Sequence, residues 1–417
     1  MSITLLTFLM YTKQDLGKKG IKNKFTISVI LLKFTFQTRR PTMIFLNTTY
    51  VSPLLEQTLL ENNVAIYDTQ RHIFLKTTQG QKIAILNSED AFSAYKMHFP
   101  DTKTTKLAEL LKNKVSFRKH LATNQSGFFF REITFAELQT IDAYAFSYPI
   151  IIKPAIGYSS LGVYRINHAD HFKQIYENLK ETMLLTMDLS HLNEQLFLIE
   201  SFIPGQEFAI DMYYNQELEP VVLNVFTRLF KDAHDMSDRI YYTSKETLES
   251  YLAPLTEYLT KLRTIFQIEE PLPLHIELRI DGSGKIMPIE INPLRFAGEG
   301  TTELGHFAYN VNPYDYFFNN KQPNWQALIE QMDDAIYCFT CAVQDTPLSD
   351  AFEIDHSELK KHFPQLLEYR HLPKEVGTTF AVIFYKCDIL EALHPILTLD
   401  FNAFLTLKQQ GVTYAKK

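Results

Sequence analysis

The chain has 417 residues, 46% of them hydrophobic, enough to bury a large core and to build two or three domains. A formal net charge of −7 excludes the basic surface that nucleic-acid binding favours. Three cysteines are too few for a disulfide scaffold and suit a reducing, cytoplasmic compartment.

Residues 1–42 stand apart, with eight Lys/Arg against one Asp, so they carry +7 and the remainder −14. The apolar run at 3–10 is too short to span a bilayer and lacks the basic residues that precede a secretory signal core. This stretch reads as a basic leader, disordered or loosely attached, or as an upstream translation start. A membrane-surface or targeting role is the alternative. No spanning segment follows, so the body is expected to be soluble, without stable membrane insertion.

From 43 to about 105, strand-like runs (43–47, 65–67, 82–86) alternate with helical ones (53–62, 89–98), the pattern of a small α/β unit with parallel strands. A helix is predicted over 107–121. A second region, 106–320, contains a strand at 150–153, a glycine loop, a strand at 162–166, a helix over 169–185 and a strand at 196–203. Antiparallel strands at 207–214 and 219–226, a helix over 245–266 and a hairpin turning at Gly282-Ser283 complete it, with a subdivision near 200. Beyond it, 321–417 alternates strands (335–343, 367–371, 378–385) with helices (357–363, 389–397) and carries no chemistry that the sequence names. Cys338 and Cys341 have CxxC spacing, but their setting, Ala-Ile-Tyr-Cys-Phe-Thr-Cys-Ala-Val, reads as a buried strand, and no second ligand pair accompanies them.

Two stretches carry chemistry. In the hairpin, alternation sends Leu274, Ile276, Leu278 and Ile280 to one face and His275, Glu277 and Arg279 to the other. A turn centred on Gly282-Ser283 pairs 277 with 288 and 275 with 290. That puts Glu277, Glu290 and Asn292 on one polar face, Glu290 diagonal to Glu277, and sends Ile289 and Ile291 to the core. Two carboxylates this close need a compensating cation, and magnesium fits oxygen donors. A solvated polar face is the bland alternative. The other stretch is Lys153-Pro-Ala-Ile-Gly-Tyr-Ser-Ser-Leu-Gly162, a lysine at the end of an apolar strand followed by glycines and hydroxyls suited to phosphate. It matches neither the Walker pattern nor GxGxxG.

In order and spacing, Lys114, Lys153 with its 157–162 loop, Glu200-Ser-Phe-Ile-Pro-Gly-Gln-Glu207, Glu277, Glu290 and Asn292 resemble the ATP-grasp superfamily, in particular ligases similar to the D-alanine–D-alanine type. The resemblance covers roughly 83–318. It implies an α/β and α+β protein of the ATP-grasp fold: a pre-ATP-grasp unit at 43–105, two α+β subdomains sandwiching ATP at 106–320, and an extra C-terminal α+β region. By the same resemblance, Lys114 and Lys153 would meet the phosphates, with Gly157, Ser159, Ser160 and Gly162 in the loop closing over them. Glu200 and the Ile203 backbone would meet the adenine and Glu207 the ribose. Glu277, Glu290 and Asn292 would hold one or two Mg²⁺, with Mn²⁺ as a substitute. Arg295, catalytic with Lys153, would stabilise the transferred phosphoryl group or hold the substrate carboxylate. One departure stands out: the chain reads Asn292-Pro-Leu-Arg295 where many members have Asn-Pro-Arg.

The activity implied is ATP-dependent ligation of a small carboxylate to an amine, or less often a thiol, through an acylphosphate. Arg228, Arg279 and His275 are secondary candidates for the substrate pocket, and a homodimer accords with similar ligases. The rival reading is an ATP-binding regulatory or scaffold module without turnover.

Overall fold

In the computed structural model the chain divides into two units, Met1–Arg39 and Arg40–Lys417. The residues described are 41–79, 83–124, 127–157, 162–186, 194–232, 235, 237–345 and 351–408, all in the second unit. No described helix is long and apolar enough to cross a membrane.

The first element, β1 (Thr42–Leu46), is apolar on both faces and fully buried. Helix α1 (Pro53–Glu61) starts where Ser52 caps it, its side chain accepting from the Leu55 N–H, with proline in the first turn. Strands β2 (Ala65–Asp68), β3 (Ile73–Lys76) and β4 (Ile83–Leu86) and helix α2 (Ala91–His98) follow. The sheet order is β3-β2-β1-β4, with β1 parallel to both β2 and β4, as the alternation of elements predicts. The antiparallel edge strand β3 was not foreseen: it is short, and its side chains stay largely exposed.

The single helix predicted over 107–121 is two helices, α3 (Lys103–Lys112) and α4 (Lys114–Ala122). Asn113 divides them. Its backbone is extended, its N–H closes α3 on the Glu109 carbonyl, and its side chain caps α4 by accepting from the Ser116 N–H at 2.9 Å. Asparagine competes well with the helix for such bonds. Lys114 thereby opens α4, its N–H bound to the Ala155 carbonyl at 2.8 Å.

Next come β5 (Phe130–Thr134), α5 (Phe135–Leu138), β6 (Ile150–Pro154), β7 (Tyr164–Ile166), α6 (Phe172–Thr186) and β8 (Leu196–Ser201). They form an antiparallel sheet in the order β5-β8-β6-β7. Its core is Ile133, Phe135, Ile150, Ile152, Ile166, Leu179, Phe197 and Ile199.

Strands β9 (Gln206–Tyr214), β10 (Pro220–Leu229) and β11 (Ile240–Thr243), helix α7 (Lys245–Ile265), and the hairpin β12 (Leu272–Ile280) and β13 (Ile286–Pro293) build one side of the larger sheet. Helix α7 begins at the Ser244 cap and buries Leu248, Leu255, Leu259 and Leu262, a helical stripe. After α8 (Leu304–Tyr309), α9 (Pro313–Phe318) and α10 (Trp325–Gln331) the chain adds β14 (Ile336–Val343), β15 (Phe352–Ile354), α11 (His356–Lys360), β16 (Leu366–His371), β17 (Thr379–Cys387), α12 (His394–Leu397) and β18 (Leu405–Leu407). Among the described residues the sheet has eight strands in the order β13-β12-β9-β10-β11-β14-β17-β16. Strands β14, β17 and β16 continue the sheet that carries the hairpin, while β15 and β18 pair with each other. Cys338 and Cys341 lie in β14, as the strand reading requires.

The hairpin register differs from the expectation. His275 pairs with Asn292 and Glu277 with Glu290 directly, not diagonally. Two features cause the shift. The turn is longer: the Asp281 N–H bonds the Lys285 carbonyl at 3.1 Å, and the Asp281 carboxylate accepts from the Ser283 and Lys285 N–H groups. A bulge then falls between Glu277 and Leu278, which pairs with Pro288. The bulge turns Ile289 out of the core and into a cleft, whereas Ile291 stays buried as predicted.

Candidate active site

A cleft open to solvent runs between the β5-β8-β6-β7 sheet and the hairpin end of the eight-stranded sheet. Lys114, Lys153, Gly157, Glu200, Ile203, Glu207, Glu277 and Glu290 all line it. Ile151, Pro154, Val163, Phe202 and Ile289 give it apolar walls. Apolar walls with a few convergent charges suit a ligand that offers both a flat ring and charged groups.

At one end three buried charges meet. Glu200, 2% exposed on β8, pairs through Oε1 with Lys153 Nζ at 2.7 Å, and its Oε2 forms an ion pair with Arg118 Nε 2.7 Å away. Burial alone would raise the Glu200 carboxyl; Lys153 and Arg118 outweigh it and hold the group below its ordinary value. Burial lowers the Lys153 ammonium; Glu200 opposes this, and Arg118 and Lys114 add to it. Beside this trio Glu207 is closed by two guanidiniums, Arg228 NH1 on Oε1 at 2.7 Å and Arg279 Nε and NH2 on Oε2 at 2.8 Å. Arg279 also donates to the Ile203 carbonyl at 2.9 Å and stacks over Phe202. In this structure Arg228 and Arg279, read from sequence as substrate-pocket candidates, clamp Glu207.

At the other end Lys114 Nζ reaches Glu290 Oε2 at 2.8 Å and the Gly157 carbonyl at 2.9 Å. Asn292 Nδ2 donates to Glu290 Oε1 at 3.0 Å. Burial would raise Glu290, but Lys114, the Asn292 amide and Lys153 hold it down at about 2. Glu277, directly across the hairpin, is pushed up by burial and by the Glu290 charge. Its neighbour His275 is buried, with Nδ1 on Asp211 Oδ1 at 2.8 Å and Nε2 3.6 Å from Glu277. Burial would lower that imidazole, but the hydrogen bonds to Asp211 and Glu277 raise it to about 9, so it is charged at neutral pH. Asp211 also accepts from the Ala297 N–H at 2.8 Å and from Asn224 at 3.1 Å, fixing the segment after β13.

Two carboxylates and an amide oxygen are the hard donors that magnesium takes, and the upward push on Glu277 marks a place short of positive charge. Among the described residues no three His, Cys, Asp or Glu side chains converge as a closed metal site. A magnesium ion here would therefore complete its shell with phosphate oxygens and water.

Of the other predicted residues, Gly162 has a left-handed φ of 73°, and a Cβ there would meet Met183 Cε at 2.9 Å and Pro154 Cγ at 3.1 Å, so the close approach requires glycine. Ser159 and Ser160 lie outside the described residues. Arg295 is not in the cleft wall: its Nε bonds Glu89 Oε2 at 2.9 Å and its NH1 the Phe296 carbonyl, though Glu290 and Glu277 lie within its electrostatic reach. Sequence reasoning missed Asp238, which lines the cleft and pairs with Arg228 NH2 at 3.2 Å; it sits in a loop with no pattern to mark it. It also missed Arg118, for which a signal existed: Lys114 and Arg118 are four apart, on one helix face.

Residues 146–303 match the family model of the ATP-grasp domain. The chain carries an ATP-grasp domain. An L-arginine-specific L-amino acid ligase of Bacillus subtilis is 24% identical over 176 residues, 41% of this chain and 40% of that protein, so the match spans well under half of the relative. An L-amino acid ligase structure from Bacillus licheniformis superposes with a TM-score of 0.57 at 16% identity, covering 89% of this chain and 100% of that one. A carboxyaminoimidazole ribonucleotide synthase from Aspergillus clavatus, complexed with ATP, gives 0.58 at 13% identity over 88% and 99%. The fold is thus the ATP-grasp fold, and every residue that lines the cleft except Lys114 falls within the matched segment.

Proposed function

We propose that this ATP-grasp protein is an ATP-dependent ligase joining a small carboxylate to an amine, or to a thiol, with release of ADP and phosphate. One observation carries this reading: lysines from α4 and β6 and facing carboxylates from the β12–β13 hairpin line a single cleft. In this assignment the apolar walls take the adenine beside Glu200 and Ile203. Glu207 takes the ribose once a guanidinium yields, and Lys114 and Lys153 take the phosphates.

The substrate carboxylate attacks the γ-phosphorus, ADP leaves, and the acylphosphate is then opened by the amine, which loses a proton as phosphate departs. The approach of two anions needs fixed positive charge, which Lys114, Lys153 and, from beside the cleft, Arg295 contribute. Magnesium, one or two ions held by Glu277, Glu290 and Asn292, with manganese as a substitute, would neutralise phosphate charge. Alignment of carboxylate and phosphoryl group accounts for much of the remaining acceleration. We further propose a cytoplasmic enzyme that pairs as a homodimer, with residues 43–105 and 321–417 flanking the ATP-grasp region of 106–320.

The test is ADP formation from Mg-ATP in the presence of pooled amino acids and small carboxylates. Release stimulated by a carboxylate–amine pair, with a new amide, is expected. ATP binding without stimulated release would instead make the protein a regulatory or scaffold module, and a stable phosphate ester would make it a kinase.

A further inference from the structure

Arg118 is among the largest fully buried side chains, 2% exposed, and is not part of the cleft wall. Its guanidinium is fixed from several sides. NH1 donates to the Pro288 carbonyl of β13 at 3.1 Å, Nε sits 2.7 Å from Glu200 Oε2, and the rings of Phe128 and Phe117 lie 4.8 and 5.5 Å away. It therefore ties the strand that carries Glu200 to the strand that carries Glu290. Lys153, the other cation on Glu200, is also buried but lines the cleft, where a bound ligand can meet it. Phosphate that draws the Lys153 ammonium away would leave Glu200 buried with Arg118 alone.

We propose that Arg118 is a positioning residue for base recognition, holding Glu200 as an acceptor-only carboxylate so that the cleft takes a 6-aminopurine and refuses a 6-oxopurine. The inference rests on reading the cleft as an ATP site. An ionised carboxylate has no proton to donate. The 6-amino group of adenine donates to it, whereas the 6-oxo group of guanine presents another acceptor and is repelled. A carboxyl free to protonate would lose that discrimination, because its O–H could serve the 6-oxo group. Arg118, out of reach of the ligand, keeps the carboxylate ionised through the whole cycle.

The experiment compares ATP and GTP, by direct binding and as substrates, for the full chain and its variants. R118M is expected to cut the ATP-over-GTP preference about tenfold, with KM for ATP raised and kcat little changed. R118K, which keeps the buried charge, is expected to retain most of the preference. Equal losses for both nucleotides in R118M would overturn the proposal and leave Arg118 a structural residue. Should R118M fail to fold, R118M/E200Q, which removes both partners, carries the test against E200Q alone: the same preference supports the coupling, and a further tenfold drop overturns it. A wild-type chain that binds neither nucleotide overturns the ATP-site reading as well, whereas wild-type ATP preference left intact in R118M sinks only the role of Arg118.

Discussion

The two ends of the cleft treat buried carboxylates in opposite ways. At the Glu200–Glu207 end each carboxylate meets two cations: Lys153 and Arg118 on one, Arg228 and Arg279 on the other. At the hairpin end Glu277 and Glu290 face each other across paired strands, with one ammonium on Glu290 and a more distant imidazolium near Glu277. The first end is electrostatically closed before any ligand arrives, as suits a preformed pocket. The second is left short of positive charge, as suits a place that an ion and a phosphate group complete.

The sharpest way to break this contrast is E290A. Turnover with Mg-ATP is expected to fall roughly 10²–10³-fold, with an unchanged circular dichroism spectrum. Retained turnover would remove the metal assignment. E200A should act on stability, because it strands Lys153 and Arg118 without their anion; a loss of about 3–5 kcal/mol in denaturant titration is expected. A loss under about 1 kcal/mol would mean that this end is not tightly paired.

His275 offers a pH test. Its folded value, about 9, lies above the ordinary 6.5. Its contribution is thus fully present below pH 6.5 and is lost as pH rises through 9, about 3 kcal/mol in all. Stability that stays flat over this window in the wild type, or falls equally in H275N, would contradict the Asp211–His275–Glu277 arrangement. The smallest effect concerns E277Q. Burial and Glu290 push Glu277 up, so ionising it costs stability at neutral pH. The amide should raise the melting temperature of the ligand-free protein while lowering turnover. A lowered melting temperature would show that Glu277 is already compensated.

Much of this site was legible because it is built from short-range patterns. Alternation identified the polar face of β12, and the lysine at the end of an apolar strand identified β6. The hairpin register was not legible, since a longer Asp281 turn and a bulge after Glu277 each shift pairing, and residue types alone do not announce either. Ile289 was misplaced for the same reason. Asn113 looked like an interior helix residue because the apolar spacing runs on past it, whereas its N–H closes α3 on Glu109 and its side chain caps α4 at Ser116. The clamp on Glu207 joins β9, β10 and β12, a contact set by sheet order, which no local window contains. β3 went unread because it is short and mostly exposed.

The break at Asn113 carries a mechanical consequence. Because α4 starts afresh there, its rotational phase about its own axis is set by the cap and not inherited from α3. Each residue added inside a helix rotates the downstream side chains by about 100°. An insertion between Lys114 and Arg118 would therefore swing either Lys114 off the cleft or Arg118 off Glu200, whichever way the helix settled. An insertion before Asn113 has a loop-like joint to absorb it, and both cations would keep their bearing.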